Sequence, residues 1–310
     1  MTSKISIITP SFNQGQFLEE TILSVINQRD IDLEYFIIDG GSTDNTIEII
    51  KKYEHKLNFW VSEQDKGQSE AINKGLIRAT GNIVAWLNSD DLYVPDTLRF
   101  VSDFFEKNPD IDLLYGDVIN FYDNGKAETF RPPEFNPVSF LKRVNIHQPS
   151  VFWRRSILKQ TGLLDESLHY LMDYDLWVRI FFSFKTQKVN KALSKFRIHS
   201  GSKTNDNPPG VYMEFRKIFS RFIYSLNRPD LIELLKSVGL DENKEKRIFN
   251  FIPSISESVL SKIMNNYIFN CAIQEYTFGS KSRANNLLIK SLKFSRLHSF
   301  LYFYFKNNLR

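Results

Sequence analysis

Cysteine is nearly missing. Cys271 is the one thiol in 310 residues, which excludes an internal disulfide framework and a cysteine-rich metal site. No apolar run reaches the ~20 residues a membrane-spanning helix needs. Met1 to Phe12 lack the apolar stretch of a secretory signal. These absences predict a cytoplasmic protein. Glycine is sparse at 13 residues. No Gly-x-Gly-x-x-Gly follows the first apolar run, which argues against a Rossmann-type dehydrogenase. Thr9 to Gly15 hold no cation, which argues against a nucleotidyltransferase with a basic phosphate loop near its start. Acid is missing altogether from Lys281 to Arg310, where Lys281, Arg283, Lys290, Lys293, Arg296, Lys306 and Arg310 stand among aromatics.

What remains is an ordinary composition, 42% hydrophobic and 25% charged, with ample material for a core. Its charge is uneven. Residues 206–310 hold 16 Lys and Arg against 9 Asp and Glu, while the chain as a whole is only +4. The basic end reads either as a solvated helix face or as a contact for an anionic membrane surface. No recognition motif accompanies the charge, so nucleic acid is not an expected partner.

Short apolar runs alternate with helix-period segments. Lys4–Thr9, Leu33–Ile38, Leu57–Val61 and Ile83–Leu87 read as strands. Helices between them present Leu18, Ile22 and Val25, then Ile47 and Ile50, then Ala71, Ile72 and Leu76. This rhythm predicts an α/β fold with a mostly parallel sheet flanked by helices. Strands are also expected at Asp112–Tyr122, Val151–Trp153 and Leu193–His199, a Pro-rich loop at Arg131–Pro137, and a helix at Asp173–Phe184. Residues 203–210 read as a boundary loop. The predicted division is a catalytic domain over 1–205 and a basic helical region over 206–310.

The stretch that organises the rest is Ile83-Val84-Ala85-Trp86-Leu87-Asn88-Ser89-Asp90-Asp91. A buried strand ends in two adjacent carboxylates, at the sheet edge where such folds present ligands. Adjacent carboxylates repel unless a cation lies between them, and a hard divalent ion that also holds a diphosphate answers that need. The alternative is that Asp90 or Asp91 caps a helix beginning near Pro95. Thr9-Pro10-Ser11 and Asp39 follow two neighbouring strands, so one ligand would meet all three clusters. Asp39 suits a ring N–H of a base. Asp65 and Lys66, with Gly67 permitting close backbone approach, suit a ribose or phosphate. Turn chemistry alone also explains such residues in loops.

Four motifs in order resemble the family-2 inverting glycosyltransferases, which have the GT-A fold: Thr9-Pro10-Ser11-Phe12-Asn13, Ile38-Asp39-Gly40-Gly41-Ser42-Thr43-Asp44, Asp65-Lys66-Gly67-Gln68 with Ala71-Ile72-Asn73-Lys74-Gly75, and Leu87-Asn88-Ser89-Asp90-Asp91. The likeness covers about residues 3–204. It implies a nucleotide-sugar donor, a divalent metal (Mn2+ or Mg2+), and a glycan or lipid-linked glycan acceptor at the inner membrane face. Carried across by position, Thr9, Pro10, Ser11, Asp39, Lys66, Gly67 and Asp90 line the donor nucleotide pocket. Asp90 and Asp91 match the acidic metal motif, with His199 as a third ligand or a phosphate contact. Arg197 and Lys203 fall where the donor diphosphate is closed over, and His147 and Gln148 where acceptors bind. Asp173, in Met172-Asp173-Tyr174-Asp175-Leu176-Trp177, matches the catalytic base. It would take the acceptor hydroxyl proton, or else serve as a helix cap, with Asp175 the second choice. Three positions depart from the family: Gly40 and Asn88 stand where aspartate is common, and Met172 where the base segment has its first acid. The departures at Asn88 and Met172 leave open a protein that holds nucleotide-sugar without turning it over.

Overall fold

The strands are built where β-branched and aromatic residues alternate with turn formers. A computed structural model of the chain describes residues 3–199, 208–243, 248–249 and 254–291. They form two units, one of residues 1–134 with 146–207 and one of residues 135–145 with 208–310.

The first unit carries β1 (Ile5–Ser11), α1 (Gly15–Ile26), β2 (Leu33–Asp39), α2 (Thr46–Tyr53), β3 (Phe59–Ser62), α3 (Gln68–Arg78), β4 (Ile83–Trp86), β5 (Leu92–Tyr93), α4 (Thr97–Lys107), β6 (Leu113–Tyr122) and β7 (Ala127–Phe130). The second unit then contributes α5 (Pro137–Phe140). The chain returns to the first for β8 (Val151–Arg154), α6 (Leu158–Thr161), α7 (Met172–Phe181) and β9 (Thr186–Ile198). One sheet runs in the order β3-β2-β1-β4-β8-β6-β9-β5, with β7 paired to β6. β1 to β4 are mutually parallel. β8 is antiparallel to both β4 and β6, and β6 is parallel to β9. β9 therefore runs in the direction of β4, and both end on the same edge.

β1 and β4 are buried along their whole length, as central strands covered on both faces must be. Trp86, at the end of β4, stacks on Trp177 of α7 with ring centroids 5.5 Å apart. The alternative reading of Asp90 or Asp91 as the cap of a helix beginning near Pro95 is not met. α4 starts at Thr97 behind Asp96, which takes a left-handed φ of 62°. The expected Pro-rich loop at Arg131–Pro137 is irregular up to Asn136, and α5 starts at its last residue, because Asn136 accepts the N–H groups of Val138 and Ser139 and Pro137 stands in the first turn.

The second unit continues with α8 (Pro208–Ser225), α9 (Pro229–Ser237), α10 (Glu257–Phe278) and α11 (Lys281–Ser291). Its core holds Ile218, Phe222, Leu235, Ile263 and Met264. Phe219 stacks flat on Tyr267 at 3.5 Å. Cys271 is buried here, and burial pushes its thiol up to about 11, so it is packing rather than a nucleophile. No described helix is long and apolar enough to cross a membrane.

At the start of β1 and β2 the buried Glu34 accepts hydrogen bonds from Ser6 Oγ (2.5 Å), Thr80 N (2.8 Å), Thr80 Oγ1 (2.8 Å) and Lys4 Nζ (2.9 Å). Burial alone would raise its pKa, but these donors outweigh burial and hold it at about 2 against an ordinary 4.5. A carboxylate depressed in this way stabilises the fold above its unfolded pKa and loses that contribution as pH falls toward its folded one. Glu34→Gln should therefore lower the Tm at pH 7. The gap from wild type should narrow as pH drops from about 4.5 toward about 2, followed by circular dichroism.

Candidate active site

The parallel strands deliver Ser11, Asp39 and Ser62 to one edge, where Ser11 pairs with Asp39 and Asp39 with Ser62. Asp39 is fully buried. Its Oδ2 accepts Gly41 N–H (3.0 Å), Ser42 N–H (2.9 Å) and Ser62 Oγ (2.7 Å), and its Oδ1 accepts Ser42 Oγ (2.5 Å). The carboxylate thus shapes the Gly40–Ser42 turn, while Oδ1, with one partner, keeps capacity for another donor. Ser11 Oγ is buried without a hydrogen-bond partner among the described residues. Pro10 between them is buried. Thr9 is buried too, and its hydroxyl pairs with Tyr35 OH at 3.0 Å, so its side chain meets the core rather than the edge.

Asp65 Oδ1 accepts Gly67 N–H at 2.8 Å, and burial raises the Asp65 pKa. A Cβ on Gly40 would stand 2.8 Å from Asp65 Oδ2. A side chain at position 40 would therefore require the Asp65 carboxyl to move. Lys66 is exposed. Gly67 takes φ 132°, a left-handed value that suits glycine, and opens α3. Gln68 Nε2, one residue on, donates to Asn88 Oδ1 at 2.8 Å. This is a contact the sequence reading missed, and it gives the amide at the head of the acidic motif a holding role.

After β4 the chain crosses to the far side of the sheet and pairs Leu92 with Lys195 and Tyr93 with Ser194. That crossing brings Asp90 and Asp91 to the end of β9. Asp91 is fully buried. Its Oδ1 accepts Arg197 N–H at 3.1 Å, and its Oδ2 has no hydrogen-bond partner among the described residues. Burial first, and then the Asp90 carboxylate, push it well above the usual carboxylate range. Asp90 is more open, and its Oδ2 lies 3.1 Å from His199 Nε2. The two acids therefore differ in environment: Asp90 faces His199, and Asp91 bonds the backbone of β9.

Arg197 is the hub behind them. Its Nε donates to the Asp90 carbonyl at 3.1 Å and its Nη2 to Glu20 Oε2 at 2.6 Å. Its guanidinium lies over Phe17 at 4.6 Å and over Phe121 at 4.5 Å. Phe17 in turn touches the His199 ring at 4.8 Å. The guanidinium is thus committed to protein groups. Phe17 and Glu20 sit three residues apart on α1, a spacing that places both on one face, though nothing in the sequence ties that face to Arg197. Lys203 lies outside the described residues.

Asp173 is half-buried in the first turn of α7, and its Oδ1 accepts Tyr174 N–H at 2.7 Å. The chain arrives there past His169, whose Nδ1 is 3.9 Å from where a Cβ on Gly67 would stand. Asp175 is buried in an ion pair with Arg179 at 2.8 Å. Gln148 Nε2 donates to the Trp86 carbonyl at 2.7 Å. His147 stacks on Phe130 at 4.1 Å and meets Phe196, three residues before His199, at 5.2 Å. Burial lowers the His147 pKa to about 4, so the ring is neutral at physiological pH. Among the described residues no group of three or more His, Cys, Asp or Glu converges as a metal cage.

A mixed sheet whose parallel strands deliver acids to one edge, with an acid–imidazole pair where β4 and β9 end, defines a GT-A fold. Solved structures agree on that fold. TarS of S. aureus in complex with UDP-GlcNAc superposes with TM-score 0.65 at 18% identity, over 94% of this chain and 80% of that one. A mannosyltransferase of Pyrobaculum calidifontis in complex with GDP-Man and Mn2+ gives 0.53 at 17% identity, over 94% and 80%. Of a longer TarS chain this one spans 48%. The chain belongs to glycosyl transferase family 2, whose profile matches residues 6–162. Among curated relatives, an uncharacterized glycosyltransferase of Methanocaldococcus jannaschii is 31% identical over 63% of this chain and 70% of its own. A PGL/p-HBAD biosynthesis glycosyltransferase of Mycobacterium tuberculosis is 33% identical over 57% and 69%.

The Arg197 hub makes a stability prediction. Arg197→Lys keeps the charge but loses the Nε bond to the Asp90 carbonyl and the flat stacking on Phe17 and Phe121. Urea unfolding should show a loss of about 1–2 kcal/mol, and an unchanged midpoint would mean that the hub carries no weight.

Proposed function

We propose that the protein is an inverting glycosyltransferase that moves a sugar from a nucleotide-diphosphate donor to a glycan or lipid-linked glycan acceptor. The observation that carries this reading is the meeting of Asp90 Oδ2 and His199 Nε2, 3.1 Å apart, at the carboxyl edge of the sheet. One carboxylate and one imidazole, with the buried Asp91 behind them, suit a divalent ion such as Mn2+ or Mg2+ that takes its remaining ligands from a diphosphate and water. Asp90 and His199 would hold it directly. When bound, such an ion offsets charge on the departing diphosphate.

In this reading Ser11 Oγ and Asp39 Oδ1 meet the nucleotide. Pro10 and the buried Thr9 shape the floor beneath them, and Gly67 lets the backbone at the start of α3 approach ribose or phosphate. Lys66 supplies charge at the mouth. Arg197 supports the metal pair from behind, and Lys203 remains the cation proposed for the diphosphate. Asp173 takes the proton of the acceptor hydroxyl as that oxygen attacks the anomeric carbon from the face opposite the nucleotide. The C–O bond to the acceptor forms as the bond to the diphosphate breaks, so the anomeric centre inverts and no covalent enzyme intermediate is needed. Neutral His147 and Gln148 Oε1, which has no hydrogen-bond partner among the described residues, are proposed to orient the acceptor. A silent nucleotide-sugar binder is the alternative reading, favoured only by the departures at Asn88 and Met172.

Asp173→Asn separates these readings. Transfer and hydrolysis should fall at least about 100-fold while UDP or GDP affinity by calorimetry stays near wild type. Undiminished turnover would remove the base, and an inability of the wild type to release nucleoside diphosphate from any sugar nucleotide would favour the binder.

We further propose that the acid-free stretch from Lys281 to Arg310 meets the anionic inner face of a membrane. Removing residues 292–310 keeps the packed Ala284 and Leu287 of α11 while deleting Lys293, Arg296, Lys306 and Arg310. Sedimentation with phosphatidylglycerol-containing vesicles should drop for the shortened chain and stay low for both forms with neutral vesicles. Equal binding by both forms to the anionic vesicles would contradict the assignment.

A further inference from the structure

Asn73 lies on α3, only 4% exposed, one helical turn beyond Ser69 and on the same face. Its amide engages both backbone groups of one residue on another segment. Oδ1 accepts Leu164 N–H at 3.0 Å, and Nδ2 donates to the Leu164 carbonyl at 3.0 Å. Nδ2 also donates to Glu166 Oε1 at 2.9 Å. Ser69 Oγ adds a bond to the Leu168 carbonyl at 3.2 Å. The same segment is also held by α7 itself: Arg179, held by Asp175, donates to the Leu163 carbonyl at 2.9 Å. An internal turn with Asp165 accepting Ser167 N–H at 2.9 Å and Leu168 N–H at 3.1 Å shapes what lies between. Five residues after Leu168 comes Asp173.

We propose that Asn73 is a positioning residue for Asp173. By binding Leu164 through both its backbone groups, it sets the register between α3, whose start carries Lys66, Gly67 and Gln68, and α7, whose first turn carries the carboxylate. The donor-side helix and the base-bearing helix thereby move as one piece. This inference rests on the reading of Asp173 as base. It gives the buried Asp175–Arg179 pair the same framing task, and it uses no atom of Asn73 on the substrate. In Asn73→Asp one oxygen still accepts the Leu164 N–H, but the other replaces Nδ2 and faces the Leu164 carbonyl and Glu166 Oε1 as a second acceptor, a cost concentrated at this joint.

The test measures nucleoside diphosphate release from UDP-GlcNAc, UDP-glucose or GDP-mannose, whichever the wild type hydrolyses, beside UDP and GDP affinity by calorimetry. Asn73→Asp should lower kcat at least tenfold and leave nucleoside diphosphate Kd within twofold. Adding Glu166→Gln, whose amide donates to the new carboxylate, should recover at least threefold of that loss. Wild-type kcat in a folded Asn73→Asp enzyme would overturn the proposal. So would a proportional loss of kcat and affinity, or a double variant no better than the single one. If Asn73→Asp does not fold, Ser69→Ala takes its place, with a two- to threefold loss of kcat at constant Kd expected and no loss overturning the idea. Asp173→Asn is run in parallel. Loss there with normal turnover in Asn73→Asp defeats the positioning role alone, whereas normal turnover in Asp173→Asn defeats the base and this proposal with it.

Discussion

The site depends on one buried carboxylate. Asp91 is fully enclosed, with one oxygen on the Arg197 amide at the end of β9. Burying an acid is costly unless its partners are fixed, so the turn after β4 and the last residues of β9 are coupled wherever Asp91 is in place. β5 continues the coupling through its pairing with β9. The consequence is that Asp90 and His199, 109 positions apart in the chain, face each other over one point of the sheet edge. Arg197 closes the arrangement from behind, between two aromatic rings and against Glu20.

Around that point the fold separates tasks by element. The ends of β1, β2 and β3 supply a network in which Asp39 organises its own turn. The opening of α3 supplies a glycine in a conformation few other residues adopt. The segment before α7 is fastened to α3 and then leads into the turn that bears Asp173. The groups proposed to bind the donor thus come from the parallel half of the sheet, while the proposed base comes from a helix that packs on β4 through Trp177 and Trp86.

Much of this was legible in the residues. Parallel strands at 5–11, 33–39, 59–62 and 83–86 follow from short apolar runs ended by Asp, Gly and Ser, and the acidic end of β4 was marked by its abrupt change of polarity. β5 and β7 were not legible, because β5 has two residues and β7, Ala127-Glu128-Thr129-Phe130, lacks the apolar run that marks β3, β4 and β8. Nor was α5, whose proline reads as a loop former until Asn136 is seen to cap it. The different environments of Asp90 and Asp91 were equally hidden, since adjacent acids look identical until the chain's crossing to β9 buries one of them. Arg197 reads from the sequence as a phosphate contact because it is a cation near a phosphate motif, and its contacts with Phe17, Phe121 and Glu20 could not be seen there. Asn73 sat inside a motif in plain view, but its task depends on Leu164, 91 positions away.

The most direct measurement is a crystal of the protein grown with Mn2+ and a nucleoside diphosphate, with anomalous diffraction used to locate the metal. The account requires an anomalous peak in contact with Asp90 and His199 and with the diphosphate, while Asp91 keeps its bond to the Arg197 amide. A peak bound by Asp91 with His199 turned away, or a diphosphate seated at a different part of the sheet, would contradict it.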